Sequence, residues 1–334
     1  MSAVDLPPLR YLPAADVVAC MPALPEQLRL AERTLIGLVE GAELPPKIGV
    51  HPRPAGSFAH AMPAYLPGAP HDGSADLAGV KWVAGFPDNV VAGVPALHAL
   101  VLVNDPRTGI PVAILDGGPI TAARTAAVSG VAIARWAPPT GGRPARAAIV
   151  GAGVQGRAHL PVLGHLLPGV EVAIHDRDAA RAAVLAADAA GVPGIGGARP
   201  VADPRSAVED ADVVVTCVSF GPVRQVMTRA WFAPDTLIVA VDYATSVAAE
   251  VPRDAALFLV DEEGQFRANR EAGLFDGYPD PAAVLGAAIR DATQRPPAGH
   301  VVVTHLGVGL ADLVFAAAIL AAASERGLGI VLPR

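Results

Sequence analysis

Apolar positions change period along this chain of 334 residues, and each change marks a different kind of element. From residue 14 to 41 they recur at helical spacing, as in Leu28, Ala31, Leu35 and Val39, with Ala15-Asp16 offering a start. From Lys47 to Leu115 the runs are short and broken by Pro, Gly, Asn and Asp. Residues 47–50, 79–83, 99–104 and 112–116 read as strands of a mixed or antiparallel sheet, with a turn over Asn104–Gly109. Residues 121–136 (TAARTAAVSGVAIARW) read as a helix rich in small residues. Pro138-Pro139-Thr140-Gly141-Gly142 then breaks the chain and is the best candidate for a domain linker.

After Ala145, apolar runs at 147–150, 171–175, 212–216, 236–241 and 256–260 alternate with helical stretches. That rhythm predicts an α/β domain with a parallel sheet and helices on both faces. Residues 304–327 read as one further long helix.

Composition narrows the class. Apolar residues make up 52% and charged residues 17%, against a usual charged share of about 25%. The core is therefore expected to be large, and the sparsely charged surface favours a partner subunit. A net charge of −7 and the absence of a basic run argue against nucleic acid as a partner. Cys20 and Cys217 are far apart, which fits a reduced compartment without a disulfide framework. No His/Cys/Asp/Glu group has metal-type spacing, so no metal is expected. The first residues lack a basic segment followed by an apolar one. The apolar run 313–323 is too short for a membrane span, so a cytoplasmic soluble protein is expected.

The clearest motif is Gly151-Ala-Gly153-Val154-Gln155-Gly156, directly after the strand 147–150 and before a helix at 158–167. Gly151 permits a tight turn, Gly153 lets a pyrophosphate approach the backbone, and Gly156 lets helix and strand pack closely. The next strand ends at His175-Asp176-Arg177. An acid there bonds ribose hydroxyls and favours NAD(H), while Arg177 can meet a 2′-phosphate, leaving NADP(H) possible. The strand ends at Cys217, Val218, Ser219 and Val241, with Thr125, Leu306 and Gly307, complete the candidate cofactor-binding set. Cys217 reads as a small buried hydrophobe rather than a nucleophile.

Only two lysines, Lys47 and Lys81, stand against 23 arginines. A lysine kept in such a chain suggests a need for its compact ammonium and adjustable pKa. The stretches Met62-Pro-Ala-Tyr65, Val80-Lys81-Trp-Val-Ala-Gly-Phe-Pro87-Asp-Asn89 and Asp116-Gly-Gly-Pro-Ile-Thr121-Ala-Ala-Arg124-Thr125 accompany the glycine motif. With Leu306-Gly-Val-Gly-Leu-Ala-Asp312, they resemble the ornithine cyclodeaminase/mu-crystallin family over most of the chain.

The resemblance implies a Rossmann domain (126–304) inserted into a mixed α+β substrate and dimerisation domain (1–125 plus 305–334). It also implies a homodimer, NAD(H) or NADP(H), and a small α-amino or α-imino acid substrate. Lys81 and Arg124 match the residues that hold the substrate carboxylate. Lys47 stands where an arginine is usual, and His60 and Met62 join the substrate-binding set. A glutamate expected at His60 is missing, and the family's catalytic aspartate aligns with Ala244. Asp242 supplies that carboxylate if the loop is shifted, or else caps a turn at the strand end. The ketimine-reductase branch also lacks the aspartate.

These departures point to an oxidoreductase transferring hydride at the α-carbon of an imino or amino acid, with Lys81, Arg124 and Asp242 catalytic. The alternatives are a cyclodeaminase that recycles bound NAD+ and a non-catalytic dinucleotide-dependent binding protein. His60, His98 and His305 are further candidates for handling the proton, each with a structural role as the rival reading. Substrate size is expected to depend on packing around Phe58, Tyr65, Trp82 and Tyr243.

Overall fold

Alternating apolar positions before residue 117 and unbroken valine-rich runs after 145 build two different sheets. They are seen in a computed structural model, which describes residues 6–68, 75–219 and 225–334. The chain forms two units, residues 1–124 with 308–334, and residues 125–307.

The first unit holds β1 (Leu9–Leu12), α1 (Ala14–Ala19), α2 (Leu24–Gly37), β2 (Ile48–Val50), β3 (Phe58–Leu66), β4 (Leu77–Gly85), β5 (Leu97–Asn104) and β6 (Pro111–Asp116). Its last elements are α10 (Gly309–Glu325) and β15 (Ile330–Leu332). The seven strands run in the order β15-β1-β6-β5-β4-β3-β2. Neighbours are antiparallel except β1 and β6. Met62 of β3 lies opposite Lys81 of β4, which lies opposite Val101 of β5, so the three share a face.

Helix α10 packs on that face. A Cβ at Gly309 would come within 2.5 Å of the Met62 carbonyl, and one at Gly79 within 2.8 Å of Leu313. These two glycines set how closely helix and sheet approach. Helix α10 is apolar nearly all round and correspondingly buried.

Helix α3 (Gly117–Trp136) runs through the division, which falls after Arg124. The second unit continues with β7 (Arg146–Val150), α4 (Val154–Leu166), β8 (Val170–His175), α5 (Ala179–Ala189), β9 (Ile195–Pro200), α6 (Pro204–Val208), β10 (Val213–Thr216) and β11 (Leu237–Ala240). It ends with α7 (Glu250–Arg253), β12 (Leu257–Val260), α8 (Glu263–Glu271), β13 (Ala283–Val284), α9 (Leu285–Arg290) and β14 (Val301–Thr304). Its eight strands are all parallel, in the order β13-β12-β14-β11-β10-β7-β8-β9. Strand order reverses at β7, with β8 on one side and β10 on the other. This switch point is where a doubly wound sheet takes a dinucleotide.

Two expectations are corrected. The Pro138–Gly142 stretch is a loop inside the second unit between α3 and β7, because the small residues of α3 keep the helix unbroken across the division. Residues 301–304 are a buried strand, and the last helix begins only at Gly309, after the positive φ of Gly307 has turned the chain. The helical reading of residues 14–41 corresponds to two helices, α1 and α2.

Candidate active site

In the first unit, three charged side chains are buried together. Lys81 points from the middle of β4 toward α10 and donates to Asp312 Oδ1 at 2.7 Å and to Thr121 Oγ1 at 2.8 Å. Arg124 Nε lies 3.4 Å from Asp312 Oδ2, an ion-pair distance without hydrogen-bond alignment. Among the described residues both of these atoms are buried with no hydrogen-bond partner. A buried group with an unmade hydrogen bond costs about 1–3 kcal/mol, which a bound polar ligand can recover.

Burial pushes the Lys81 ammonium down to about 8. Asp312 pulls it back up, while Arg124 and Lys47 add to the lowering. Two cations sharing one carboxylate leave one net positive charge, suited to a single substrate carboxylate.

Lys47 immediately precedes β2 and is half-buried. His60 lies on the Lys81 face of the sheet, its ring stacked on Phe58 at 4.6 Å and edge-on to His51 at 6.3 Å. Burial lowers its pKa, and the charges of Lys47 and His51 lower it further. A Cβ at Gly49 would collide with the His60 ring at 2.3 Å, so that glycine makes room for it. Met62 is buried with its carbonyl under Gly309. His98 is exposed on β5.

Two of the residues expected to set substrate size face elsewhere. Trp82 follows Lys81 and Tyr65 is an odd number of residues from Met62, so strand alternation turns both to the opposite face. Trp82 is 47% exposed, and the Tyr65 hydroxyl donates to Asp76.

In the second unit, β7 runs into the glycine loop and α4 starts at Val154 with Gly153 as its cap. Each glycine has its own reason. Gly151 has φ 114°, and a Cβ there would sit 2.6 Å from the Cys217 carbonyl. A Cβ at Gly156 would be 2.2 Å from the Gly151 carbonyl. A Cβ at Gly153 would meet nothing within 4 Å. Packing therefore does not demand glycine at 153, and open space at a helix N-terminus is what a pyrophosphate needs. The residues present fit a dinucleotide.

Asp176 directly follows β8 and accepts the Ala152 amide at 2.7 Å, which fixes its carboxylate beside the loop. Arg177 next to it is exposed, while Thr125 is buried on α3. Gln155 lies in the first turn of α4. Cys217 donates to the Gly151 carbonyl at 3.2 Å, and burial pushes its thiol up, which disfavours a nucleophilic thiolate. Val218 and Ser219 follow β10, and Val241 follows β11.

Asp242 is buried, and its two oxygens accept from Thr216 at 2.7 Å and Ser246 at 2.6 Å. The carboxylate thus ties the ends of β10 and β11 to the following turn. Burial raises its pKa to about 6, against the lowering by Ser246 and Thr216. Ala244, at the position of the expected aspartate, is fully buried.

Three residues had no role assigned from the sequence. Asp312 organises the cation pair, Thr121 accepts from Lys81, and Asp261 holds a turn by accepting the Leu306 and Gly307 amides at 2.9 Å each. Asp312 closes the Leu306–Asp312 motif and is the one acid in the first turn of α10. Among the described residues, no group of three His, Cys, Asp or Glu side chains is placed to hold a metal, and no helix is long and apolar enough to cross a membrane.

The family model for the ornithine cyclodeaminase/mu-crystallin family matches residues 14–322. The nodulation efficiency protein NfeD of Rhizobium meliloti is 32% identical over 97% of this chain and 98% of its own length. A Δ1-pyrroline-2-carboxylate/Δ1-piperideine-2-carboxylate reductase of Azospirillum brasilense is 30% identical over 80% of this chain and 81% of its own. Among solved structures, an archaeal alanine dehydrogenase dimer with bound NAD shares the fold, with a TM-score of 0.81 at 22% identity, covering 98% of this chain and 99% of that one.

Proposed function

The chain belongs to the ornithine cyclodeaminase/mu-crystallin family, and from that premise we propose that it is an NAD(P)-dependent oxidoreductase reducing the C=N bond of a small α-imino acid. The observation that carries this reading is the buried Lys81–Asp312–Arg124 cluster, in a chain whose second unit has a glycine loop fitted to a dinucleotide.

Lys81 and Arg124 grip the substrate carboxylate, with Lys47 adding positive charge nearby. A carboxylate held at two points fixes the adjacent carbon, and hydride transfer depends on such positioning more than on a nucleophile. The dinucleotide, when bound, supplies or takes up the hydride. Asp176 favours NAD(H) because it offers its carboxylate to ribose hydroxyls and repels a 2′-phosphate. Arg177 is the residue that would meet the phosphate of NADP(H).

Reduction is preferred to cyclodeamination because the two expected acids are absent. Their positions hold His60 and the buried Ala244, and Asp242 is committed to Thr216 and Ser246. A second substrate amine would also meet Lys47 and His60 rather than carboxylates.

The protein is read as a cytoplasmic homodimer. The face of the first sheet opposite α10 carries Ile48, Ala61, Trp82 and Leu100 in register across β2 to β5. Ile48, Trp82 and Leu100 are 67%, 47% and 41% exposed. An apolar row across four strands fits a second copy of the chain, and the archaeal relative is itself a dimer.

The deciding experiment offers the pure protein Δ1-pyrroline-2-carboxylate and Δ1-piperideine-2-carboxylate with NADH or NADPH. Oxidation of the nicotinamide supports the proposal. Ammonia release from ornithine or lysine without net change in NADH would replace it with the cyclodeaminase reading. Inertness toward both sets, with dinucleotide still bound, would replace it with a binding protein.

A further inference from the structure

Within the second unit, the glycine loop is pinned from two sides. On the strand side, the Gly151 amide donates to the His175 carbonyl at 2.8 Å, and the Gly151 carbonyl accepts from the Cys217 thiol. The Ala152 amide is held by Asp176. On the helix side, His159 Nδ1 lies 2.7 Å from the Gln155 carbonyl, one turn back on α4. His159 Nε2 lies 2.8 Å from Ser129 Oγ on α3, and that oxygen lies 2.8 Å from His305 Nε2 just after β14. The side chains of Ser129, His159 and His305 are at most 2% exposed.

The bridge has one direction. A carbonyl only accepts, so His159 Nδ1 carries a hydrogen. Burial lowers the His159 pKa to about 4, so at neutral pH the ring is uncharged and its Nε2 accepts. The Ser129 hydroxyl therefore donates to His159 and accepts from His305. Each of these hydrogen bonds restricts the orientation of its partners, so α3, the end of β14 and the first turn of α4 are locked together.

Such a bridge adds little to stability. Two apolar side chains of the same shape would serve the fold about as well, since replacing both partners of a buried hydrogen bond can be nearly neutral. What the bridge adds is aim. Helix α4 starts at Val154, and the Arg157 amide donates to the Gly153 carbonyl at 3.0 Å. The Val154 and Gly156 amides thus stand outside the helix's own hydrogen bonds, and Gly153 has no side chain to cap them. Amides of this kind at a helix N-terminus hold phosphate oxygens. The Gln155 carbonyl belongs to the same turn, so the tilt that His159 fixes there sets the direction of those amides.

We propose that His159 and Ser129 are positioning residues for the dinucleotide: their bridge aims the first turn of α4 at the pyrophosphate and acts through the backbone. This rests on the reading of the chain as an NAD(P)-dependent enzyme. NADH and ADP-ribose carry a pyrophosphate and depend on the bridge. Adenosine has no phosphate and does not.

Binding of these three ligands to the full-length protein tests this, by calorimetry for NADH and ADP-ribose and by ligand NMR for adenosine. Ser129→Ala and His159→Leu should each weaken NADH and ADP-ribose about tenfold, the worth of one impaired hydrogen bond to a charged group, and leave adenosine within about twofold. Equal weakening of all three ligands would mean a general loss of fold and overturn the positioning role. Unchanged NADH affinity in both variants, beside a parent that binds NADH, overturns it as well. Where either variant fails to fold, Ser129→Cys keeps the shape of serine, weakens the donor and is read by the same comparison. A parent that binds neither NADH nor NADPH removes the positioning role together with the dinucleotide reading.

Discussion

Lys81 Nζ stands 2.7 Å from Asp312 Oδ1, with the two side chains 1% and 0% exposed. The pair joins the middle of a strand to the first turn of a helix whose residues are 231 positions apart. Arg124 shares the same carboxylate. One buried acid thus holds two cations at a fixed separation and cancels only one of their charges.

Removing that acid should leave two buried cations without compensation. Asp312→Asn is expected to cost about 3–5 kcal/mol, the usual penalty for breaking a buried pair from one side. Thermal unfolding measures it, and added carboxylate ligand should recover part of the loss by neutralising the cluster. An unchanged melting temperature would mean that Asp312 does not organise the site.

The depressed pKa of Lys81 predicts opposite trends for activity and stability. Carboxylate binding needs the ammonium, so kcat/KM should be level below about pH 8 and fall tenfold per pH unit above it. Stability moves the other way. The folded value lies below the ordinary 10.5, so between the two the unfolded chain binds more protons and this group's contribution to stability rises with pH, by about 3 kcal/mol in all. Lys81→Ala should lose turnover and this pH dependence together while still binding NADH. Full activity in that variant would remove Lys81 from the site.

Much of this was legible in the sequence, for reasons that differ by element. The apolar runs of β7, β10 and β11 are buried on both faces, so they read as strands without help from tertiary structure. Strand β3 was hidden by Pro63. It is tolerated because β2 pairs only with Ala59–Ala61 and does not reach the proline. The four residues of β14 (Val301–Thr304) are too few for their period to mark them off from the helix that follows. Lys81 and Arg124 were found through their motifs. Asp312, Ser129 and His159 were not given roles, because what each touches lies on an element remote in the chain.

The glycine loop gives a contrast between two neighbouring substitutions. Gly153→Ala adds a methyl group to open space at a backbone angle any residue adopts, so the fold should be unaffected. Its expected effect is weaker NADH binding, by tenfold or more on the order of 1.4 kcal/mol, because the methyl group enters the pyrophosphate's space. Gly156→Ala drives a methyl group into the Gly151 carbonyl and should lower the melting temperature. Calorimetry of unfolding and of NADH binding separates the two. Equal effects on both quantities would contradict the assignment of Gly153 to the ligand.

Asp242 offers a test of brace against proton donor. Thr216 and Ser246 are hydroxyls that can turn and accept, so Asp242→Asn preserves the contacts without an ionisable group. That variant should keep the parent's pH profile for activity. The folded pKa of about 6 lies above the ordinary 3.8, so ionisation opposes folding and stability from this group falls as pH rises between those values. Asp242→Asn should abolish that slope. Asp242→Ala should cost about 1–3 kcal/mol by leaving the two hydroxyls and the Val218 amide without their acceptor. Loss of turnover in Asp242→Asn, with normal stability and NADH affinity, would restore the catalytic role.

The exposed row Ile48–Trp82–Leu100 predicts where the chain meets its copy. Burying side chains of this size is worth about 2 kcal/mol each, and a two-fold axis counts every contact twice. Trp82 is the best single probe, since its neighbour Lys81 points to the other face and the substitution need not disturb the cation cluster. Trp82→Glu places one charge from each subunit into the row, where like charges meet across the axis. Sedimentation should show a dimer for the parent and a monomer for this variant, with its far-ultraviolet circular dichroism unchanged. A dimer that survives Trp82→Glu would place the interface on another surface.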